Sequence, residues 1–327
     1  MTNVLLLGLG RWGVNHLRNL NSLPVELYVA EVGQKQLEPA RKLGLPAERL
    51  TTDYKTVAAR VDSVVIVTPA QTHFSLCTEF LEAGKDVFVE KPLTLANEES
   101  KALVELAARK GRILQVGHIL RFDPATLWLR DAVRTGQFGR VNMLRGHFGG
   151  FKRPRSDSGV MFADGIHFVD LFNFILGALP KSVLAIHHDF MGRGLDDVSL
   201  VSMEYETPHG KTWATVENEY FTPGKFREVI VCGDKLSAVC DYNVAQYKIK
   251  TYENKHVRDG NAIKAVEGVV TQIETPPEEP LLAELRAFLD SVQTRKAPRA
   301  DGRAGYEAVR VMNAALESVK TGKAIPI

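Results

Sequence analysis

Short apolar runs alternate with stretches of helical period through the first third of the chain. Val4 to Leu7 stops at Gly8-Leu9-Gly10-Arg11-Trp12-Gly13, after which apolar and polar residues recur at helical spacing until a second apolar run ends on Glu31. That order predicts strand, glycine turn, helix and strand. The alternation continues. Gln34 to Leu43 can be helical, and Arg60 to Thr68 has the unbroken apolar character of a strand buried on both faces, stopped by Pro69. Thr72 to Ala83 predicts a helix with Phe74, Leu76, Phe80 and Leu81 inward. Val87-Phe88-Val89 predicts a buried strand ending in Glu90-Lys91-Pro92. Asn97, as an N-cap, opens a helix to about Lys110, and Ile113 to Val116 closes a further strand. Such a run builds a doubly wound parallel sheet, whose ligand crevice lies outside the carboxyl ends of its strands. Here those ends are Thr68-Pro69, Glu90-Lys91-Pro92 and Gln115 to His118.

From about Arg121 the pattern changes. A helix around Ala125 to Thr135 leads into a strand, Val141 to Phe148, and then a glycine-rich and basic loop, Gly149 to Arg155. A strongly apolar helix, about Val160 to Leu176, follows. Six β-branched and aromatic runs come next, between Ser182 and Tyr252, with hairpin turns expected at Pro208-His209-Gly210 and Gly233-Asp234-Lys235. Strands that succeed one another without helices give an open, mostly antiparallel sheet, so this half reads as α+β. Pro276, Pro277 and Pro280 precede two terminal helices, Leu281 to Gln293 and Gly305 to Lys320. The expected organisation is a nucleotide-binding domain over 1–121 and a substrate-binding and oligomerisation domain over 122–327 that includes both terminal helices.

Bulk composition excludes several classes of function. The 327 residues carry 41 basic and 39 acidic side chains, a formal net charge of +2, which points to no nucleic-acid partner. Cys77, Cys232 and Cys240 lack metal or redox spacing, so free thiols in a reducing, cytoplasmic setting are expected. Val4 to Leu9 is too short for a signal sequence, and no apolar stretch approaches the roughly 20 residues of a membrane span. His187-His188-Asp189 are consecutive on a strand, point to opposite faces and cannot converge on one metal. Asp196-Asp197 reads as a solvated turn, in a loop that could reach substrate.

The chemistry concentrates in two places. In the glycine turn, Gly8 permits the tight bend, Gly10 lets backbone approach a pyrophosphate, and Gly13 brings the helix close to the strand. Arg11 and Trp12 lie at the helix start, where unpaired N–H groups and the dipole attract phosphate. Glu31 closes the next strand and can accept from a ribose diol while repelling a 2′-phosphate, so NAD is expected rather than NADP, with Lys35 a solvated lysine. Lys91 emerges from a buried strand between Glu90 and Pro92. Asp164, His167 and Asp170 recur three apart on an otherwise apolar helix, so they are expected on one side of it. Lys152, Arg153 and Arg155 lead into that helix and could hold a diphosphate or carboxylate.

These residues carry a resemblance to the glucose–fructose oxidoreductase/inositol dehydrogenase/MocA family over nearly the whole chain. The matching motifs are G-L-G-R-W-G (Gly8 to Gly13), T-P-x-x-T-H (Thr68 to His73), E-K-P (Glu90 to Pro92), V-G-H-x-x-R-F (Val116 to Phe122) and G-I-H-F-V-D (Gly165 to Asp170). The resemblance implies a Rossmann domain that binds NAD(P), a substrate held between it and the open sheet of the second domain, and a lysine and a histidine near the nicotinamide. Lys91 and His167 fall on those positions. Thr68, Pro69, His73, Glu90 and Gln115 are then expected on the cofactor, and Arg121 on the substrate. Many members place an aspartate four residues before the histidine; here that residue is Ala163, and Asp164, three before, is the candidate to stand in for it. The implied reaction is hydride transfer from a ring carbon of a sugar. His167, with an ordinary histidine pKa of about 6.5, takes the hydroxyl proton and Lys91 stabilises the alkoxide, or Lys91 is the base. The basic loop and the F-x-x-G-I-H-F-V-D run are similar to nucleotide-sugar dehydrogenases of the family, which suggests UDP-N-acetylglucosamine oxidised at its 3-hydroxyl. A free sugar or inositol is the alternative substrate. Of other classes, a non-catalytic NAD-sensing regulator and a hydrolase that uses tightly held NAD in a closed redox cycle remain open. A homo-oligomer, dimer or tetramer, is expected from the open sheet.

Overall fold

The computed structural model describes residues 2–155, 158–208 and 210–327, so His209 of the second expected turn lies outside the described residues. Two compact units emerge, Met1–Phe122 with Glu279–Val309, and Asp123–Glu278 with Arg310–Ile327.

Unit 1 contains six strands, β1 (Thr2–Leu7), β2 (Val25–Ala30), β3 (Leu50–Thr51), β4 (Ser63–Ile66), β5 (Asp86–Glu90) and β6 (Leu114–Gly117). They lie in the order β3-β2-β1-β4-β5-β6 with every pairing parallel. Both faces are covered, and alternate residues of each strand feed opposite cores. Leu5, Leu7, Val64, Ile66, Val87 and Val89 go to one apolar cluster, and Val4, Leu6, Val65 and Phe88 go to the other. Helices α1 (Gly13–Asn21), α2 (Glu38–Lys42), α3 (Lys55–Ala58), α4 (His73–Glu82) and α5 (Asn97–Lys110) connect the strands. Asn97 is the first residue inside α5 rather than its cap. The turn before it is instead tied by the Thr94 hydroxyl, 2.8 Å from the Ala96 carbonyl and 2.7 Å from the Ser100 hydroxyl.

The domain boundary expected at 121/122 does not hold for the end of the chain. Residues 279–309 return to unit 1, because helix Pro280–Thr294 places Leu281, Leu285, Phe288 and Leu289 in the same cluster as Val4, Leu6 and Phe88. The proline-rich approach to that helix marks its start without revealing which core it joins.

Unit 2 opens with α6 (Pro124–Arg134), capped by the Asp123 carboxylate, which accepts from the Ala125 N–H at 2.9 Å. Its strands are β7 (Val141–Gly150), β8 (Pro180–His188), β9 (Val198–Thr207), β10 (Gly210–Glu219), β11 (Lys225–Gly233), β12 (Ser237–Asp241), β13 (Ile249–Tyr252), β14 (Lys255–Asp259), β15 (Ala262–Val266), β16 (Val270–Ile273) and β17 (Ile325–Pro326). Nine of these form one sheet, β16-β13-β12-β11-β7-β10-β9-β8-β17, in which β7 and β10 are the one parallel pair. β14 and β15 form a separate exposed hairpin that the sequence pattern did not anticipate.

Helix α7 (Ile166–Leu176) packs on the central strands, and the fit depends on Gly146. A Cβ there would come within 2.6 Å of the Phe168 ring. The preceding residues, Met161–Gly165, form a π-turn, so the single helix expected from about Val160 has two parts. No helix among the described residues is long and apolar enough to cross a membrane.

Candidate functional site

The three glycines of the first turn separate by cause. Gly8 has φ of +95°, and a Cβ on it would lie 2.6 Å from the Val67 carbonyl oxygen. A Cβ on Gly13 would lie 2.1 Å from the Gly8 carbonyl oxygen. Both are demanded by the fold itself. Gly10 is different, since a Cβ there meets no protein atom within 4 Å. Just beyond it α1 begins, and Trp12, its N-cap residue, makes no side-chain capping bond. Unpaired helix-start N–H groups beside a smooth backbone suit a pyrophosphate, so the residues present fit a dinucleotide. Arg11 is exposed at this turn. Glu31 closes the arrangement from β2, its Oε2 accepting from the Leu9 N–H at 2.7 Å and its Oε1 from the Gly33 N–H at 3.3 Å. Its carboxylate retains lone pairs for a ribose diol.

Glu90, expected on the cofactor, is an internal tie. Its Oε1 accepts from Trp12 Nε1 at 2.7 Å and lies 2.8 Å from His16 Nε2, while its Oε2 accepts from the Lys91 N–H at 3.2 Å. Burial opposes its ionisation, yet the hydrogen bond and charge of His16, the charge of Lys91 and the Trp12 indole together hold its pKa below the usual carboxylate value. Gly117, paired with Glu90 across β5 and β6, leaves room for the carboxylate, whose carbon would sit 2.9 Å from a Cβ. Lys91 therefore leaves β5 from a backbone fixed to the glycine turn. Its peptide bond to Pro92 is cis.

Three neighbours differ from their expected roles. His73 is buried with Nδ1 2.8 Å from the Pro92 carbonyl and Nε2 3.0 Å from the Thr68 carbonyl, so it clamps the Lys91-Pro92 loop to the end of β4 instead of offering a ring nitrogen to nicotinamide. Burial lowers its pKa against the pull of those carbonyls. Gln115 is also buried and donates to the Glu284 carbonyl at 3.0 Å, which joins β6 to helix Pro280–Thr294. Arg121, expected on substrate, is buried and donates to the Arg299 carbonyl at 2.9 Å, while the Arg299 guanidinium lies 5.1 Å over the Phe122 ring. Polar residues in a motif can serve the scaffold as readily as the ligand. Thr68 and Pro69 stay half-buried at the end of β4, with the Thr68 hydroxyl 2.7 Å from that of Thr72.

In unit 2 the polar groups gather around Phe148. The His167 imidazole stacks on its ring, centroids 5.5 Å apart and planes 5° from parallel. Lys152 Nζ lies 5.0 Å from the same centroid and 2.5 Å from Asp164 Oδ2. The π-turn interrupts the spacing that put Asp164, His167 and Asp170 on one side. Asp164 instead pairs with Lys152, His167 is half-buried against Phe148, and Asp170 is 1% exposed. Gly165 lets this turn approach β10, since a Cβ would lie 2.9 Å from Asn218 Nδ2. Of the other loop cations, Arg153 is exposed, and Arg155 is exposed with its carbonyl accepting from Arg193 Nη1 at 2.7 Å.

The Asp196-Asp197 turn is not solvated, contrary to expectation. Both carboxylates are buried and brace the loops before the π-turn. Asp196 accepts from the Met161 N–H at 2.7 Å, and Gly159 is a glycine because a Cβ would strike Asp196 Oδ1 at 1.6 Å. Asp197 accepts from Arg193 Nη2 at 2.6 Å and from the Met191 N–H at 2.7 Å. Phe148, Tyr220, whose ring centroid lies 5.4 Å from Lys152 Nζ, and Arg227, whose guanidinium carbon lies 4.3 Å from the Phe148 centroid, do not stand out in the sequence pattern as site residues. Arg227 carried a signal, because it shares its strand face with Val229 and Val231, and a cation in an apolar register calls for a reason.

Residues 2–118 match the family model described as "oxidoreductase family, NAD-binding Rossmann fold", and residues 130–327 match its companion, the C-terminal alpha/beta domain. The chain is 31% identical over 311 residues to a scyllo-inositol 2-dehydrogenase (NAD(+)) of Bacillus subtilis, covering 90% of this chain and 86% of the relative. It is 29% identical over 265 residues to a UDP-N-acetylglucosamine 3-dehydrogenase of Acidithiobacillus ferrooxidans, covering 79% and 78%. A solved structure of the UDP-N-acetylglucosamine 3-dehydrogenase of that organism shares the fold, with a TM-score of 0.82, 24% identity and 98% of each chain covered.

Proposed function

Because the chain belongs to the oxidoreductase family with an NAD-binding Rossmann fold, we propose that it is an NAD-dependent dehydrogenase that oxidises a ring hydroxyl of a sugar or cyclic polyol. The observation that carries this reading is the bond between Trp12 and Glu90, which fixes the backbone of Lys91 to the dinucleotide turn. A lysine so anchored is where a developing alkoxide needs a positive charge.

NAD, when bound, would supply the hydride acceptor, and every other duty falls to side chains. His167 takes the hydroxyl proton, its ring plane fixed by Phe148. Lys91, as ammonium, steadies the oxyanion. Asp164 keeps Lys152 in place beside the imidazole's stacking partner. Gly10, Arg11 and the start of α1 hold the pyrophosphate, and Glu31 the adenosine ribose.

For the substrate, the first reading is UDP-N-acetylglucosamine oxidised at its 3-hydroxyl. It is supported by the Acidithiobacillus relative and by the exposed Arg153 in the loop before the His167 helix. Similarity to the Bacillus inositol dehydrogenase supports an inositol as the second. The protein works as a homo-oligomer through the open face of its large sheet, which exposes Leu184, Ile186, Leu200 and Trp213. The deciding experiment follows NADH fluorescence with UDP-N-acetylglucosamine, scyllo-inositol and free glucose in turn. NADH from any of them supports a dehydrogenase; tight NAD binding with no NADH from all three replaces it with a nucleotide-sensing regulator.

A further inference from the structure

Arg227 stands directly opposite Phe148 in the antiparallel pairing of β11 with β7, and its guanidinium carbon lies 4.3 Å from the ring centroid. The His167 ring is 5.5 Å from the same centroid, so imidazole and guanidinium are no more than about 10 Å apart, with Phe148 common to both. Val229 and Val231, on the same face of β11, are fully buried, and Arg227 itself is half-buried.

Despite this burial, no carboxylate, carbonyl or hydroxyl among the described residues accepts a hydrogen bond from the guanidinium. Asp164 is the acid whose charge acts on it, and that carboxylate is already bound by Lys152 at 2.5 Å. Burial pushes the Arg227 pKa down from its ordinary value in spite of Asp164, but a guanidinium remains charged throughout the working range of a protein. Among the described residues the local balance is therefore one close ion pair and one cation with no acceptor of its own. Five N–H donors held partly out of water without acceptors are costly, whereas a planar fork over an aromatic face is well shaped for bidentate capture of a carboxylate or phosphate. A cation–π contact holds the fork in place without occupying its donors.

We propose that Arg227 is the anion receptor of the substrate site: it binds an oxyanion carried by the sugar, a carboxylate or a phosphate, beside the ring that positions His167. Lys152, one of the three loop cations that the sequence pointed to, is neutralised by Asp164 and does not fill this role. The inference rests on the dehydrogenase reading above and narrows its substrate class from any cyclic polyol to an acidic one.

The test is calorimetric titration of the full-length chain, saturated with NAD, with matched probes. Methyl glucoside is compared with methyl glucuronide, glucose with glucose 6-phosphate, and N-acetylglucosamine with UDP-N-acetylglucosamine. At least one acidic probe is expected to bind tenfold or more tightly than its neutral partner, and which one does so tells carboxylate from phosphate. Arg227→Met should abolish that preference while leaving the neutral partner within threefold of wild type, and Arg227→Lys, which keeps the charge but not the fork, should retain part of it. A wild type without preference, or an Arg227→Met chain that weakens both partners equally, overturns the proposal. Should Arg227→Met fail to fold, an unchanged preference in Arg227→Lys overturns it and a loss of threefold or more supports it. NADH formation measured alongside separates the two readings: preference without turnover leaves the receptor standing and removes the dehydrogenase, and turnover without preference does the reverse.

Discussion

Trp12 and Glu90, 78 residues apart in the chain, meet through one hydrogen bond of 2.7 Å from indole Nε1 to carboxylate Oε1. The same oxygen lies 2.8 Å from His16 Nε2, so two side chains one helical turn apart converge on it. Trp12 caps the helix that the dinucleotide turn opens, and Glu90 ends the strand that delivers Lys91. Cofactor turn and lysine loop are therefore parts of one rigid assembly within unit 1.

Replacing Glu90 by Gln should reveal this assembly through pH. The folded carboxyl titrates lower than its unfolded counterpart, so its stabilisation is full above the unfolded value of about 4.3 and is lost only as pH falls through the lower folded value. Glu90→Gln removes that contribution, a loss of about 1.5–3 kcal/mol for charged hydrogen bonds. Thermal melts of the two proteins should differ by a constant gap from neutrality down to about pH 5, then converge in more acidic buffer. A gap that is already closing at neutral pH would contradict a depressed Glu90.

Gly8, Gly10 and Gly13 should respond differently to alanine. At Gly8 and Gly13 the added Cβ meets carbonyl oxygens at 2.6 and 2.1 Å, so either substitution should lower the melting temperature, at a cost of about 1–3 kcal/mol. At Gly10 it meets nothing of the protein. Gly10→Ala should melt with the wild type yet bind NAD about tenfold more weakly, a difference of about 1.4 kcal/mol measurable by fluorescence titration. Equal stability losses at all three positions would remove the distinction.

The parallel half of the fold is legible because its signals are local. Unbroken apolar runs, a glycine turn and an acid at the end of β2 fix strand, turn and helix without reference to anything distant. Residues 279–309 show the limit, since amphipathic helices declare that they have a buried face but not which core receives it. The candidate site shows the same limit. Lys91 and His167 stand out as polar residues ending or interrupting apolar runs, whereas His73, Gln115 and Arg121 do so equally and turn out to serve carbonyls inside unit 1. Asp196 and Asp197 were misread because adjacent acids usually face water, and only the tertiary fold supplies the N–H groups of Met161 and Met191 that hold them inside. The π-turn at Met161–Gly165 left no mark in the apolar pattern.

Lys152 and Asp164 should behave as a coupled pair. Asp164→Asn leaves the Lys152 ammonium without its carboxylate, and Lys152→Met leaves a largely buried carboxylate alone, so each should disturb the π-turn and raise KM for substrate. The double variant should be better than the sum of the singles, with a coupling of about 1–2 kcal/mol in denaturant unfolding. His167→Ala, by contrast, should reduce kcat by about 10²–10⁴ with NAD affinity unchanged. Additive stabilities for the pair would mean that the 2.5 Å contact contributes nothing.

Asp197 should matter to stability more than to chemistry. It is fully buried and receives Arg193 and the Met191 N–H, and its own carbonyl accepts from the Tyr220 N–H at 3.1 Å. Asp197→Ala removes the two side-chain acceptors but not the carbonyl, and should cost about 3 kcal/mol. A fall in melting temperature of roughly 6–12 °C is expected for a unit of this size. A melting temperature within a degree of wild type would show that Arg193 finds equivalent partners in water.

The outer face of the large sheet gives the last prediction. Ile186 and Leu200 are cross-strand partners on β8 and β9 and are 58% and 39% exposed, with Trp213 49% exposed on β10, its indole donating to Ser202 at 2.8 Å. Inward-facing residues of the same strands, Val201, Met203 and Ala214, are fully buried, so the outer face has kept apolar side chains where alternation favours polar ones. If a second copy of the chain covers this face, Ile186→Lys places a cation in a desolvated patch and should shift the particle toward the mass of one chain in light scattering. Because Ile186 packs against no core of its own subunit, the melting of the dissociated chain should not fall further as the cation is added. An unchanged assembly mass would assign the contact to another surface.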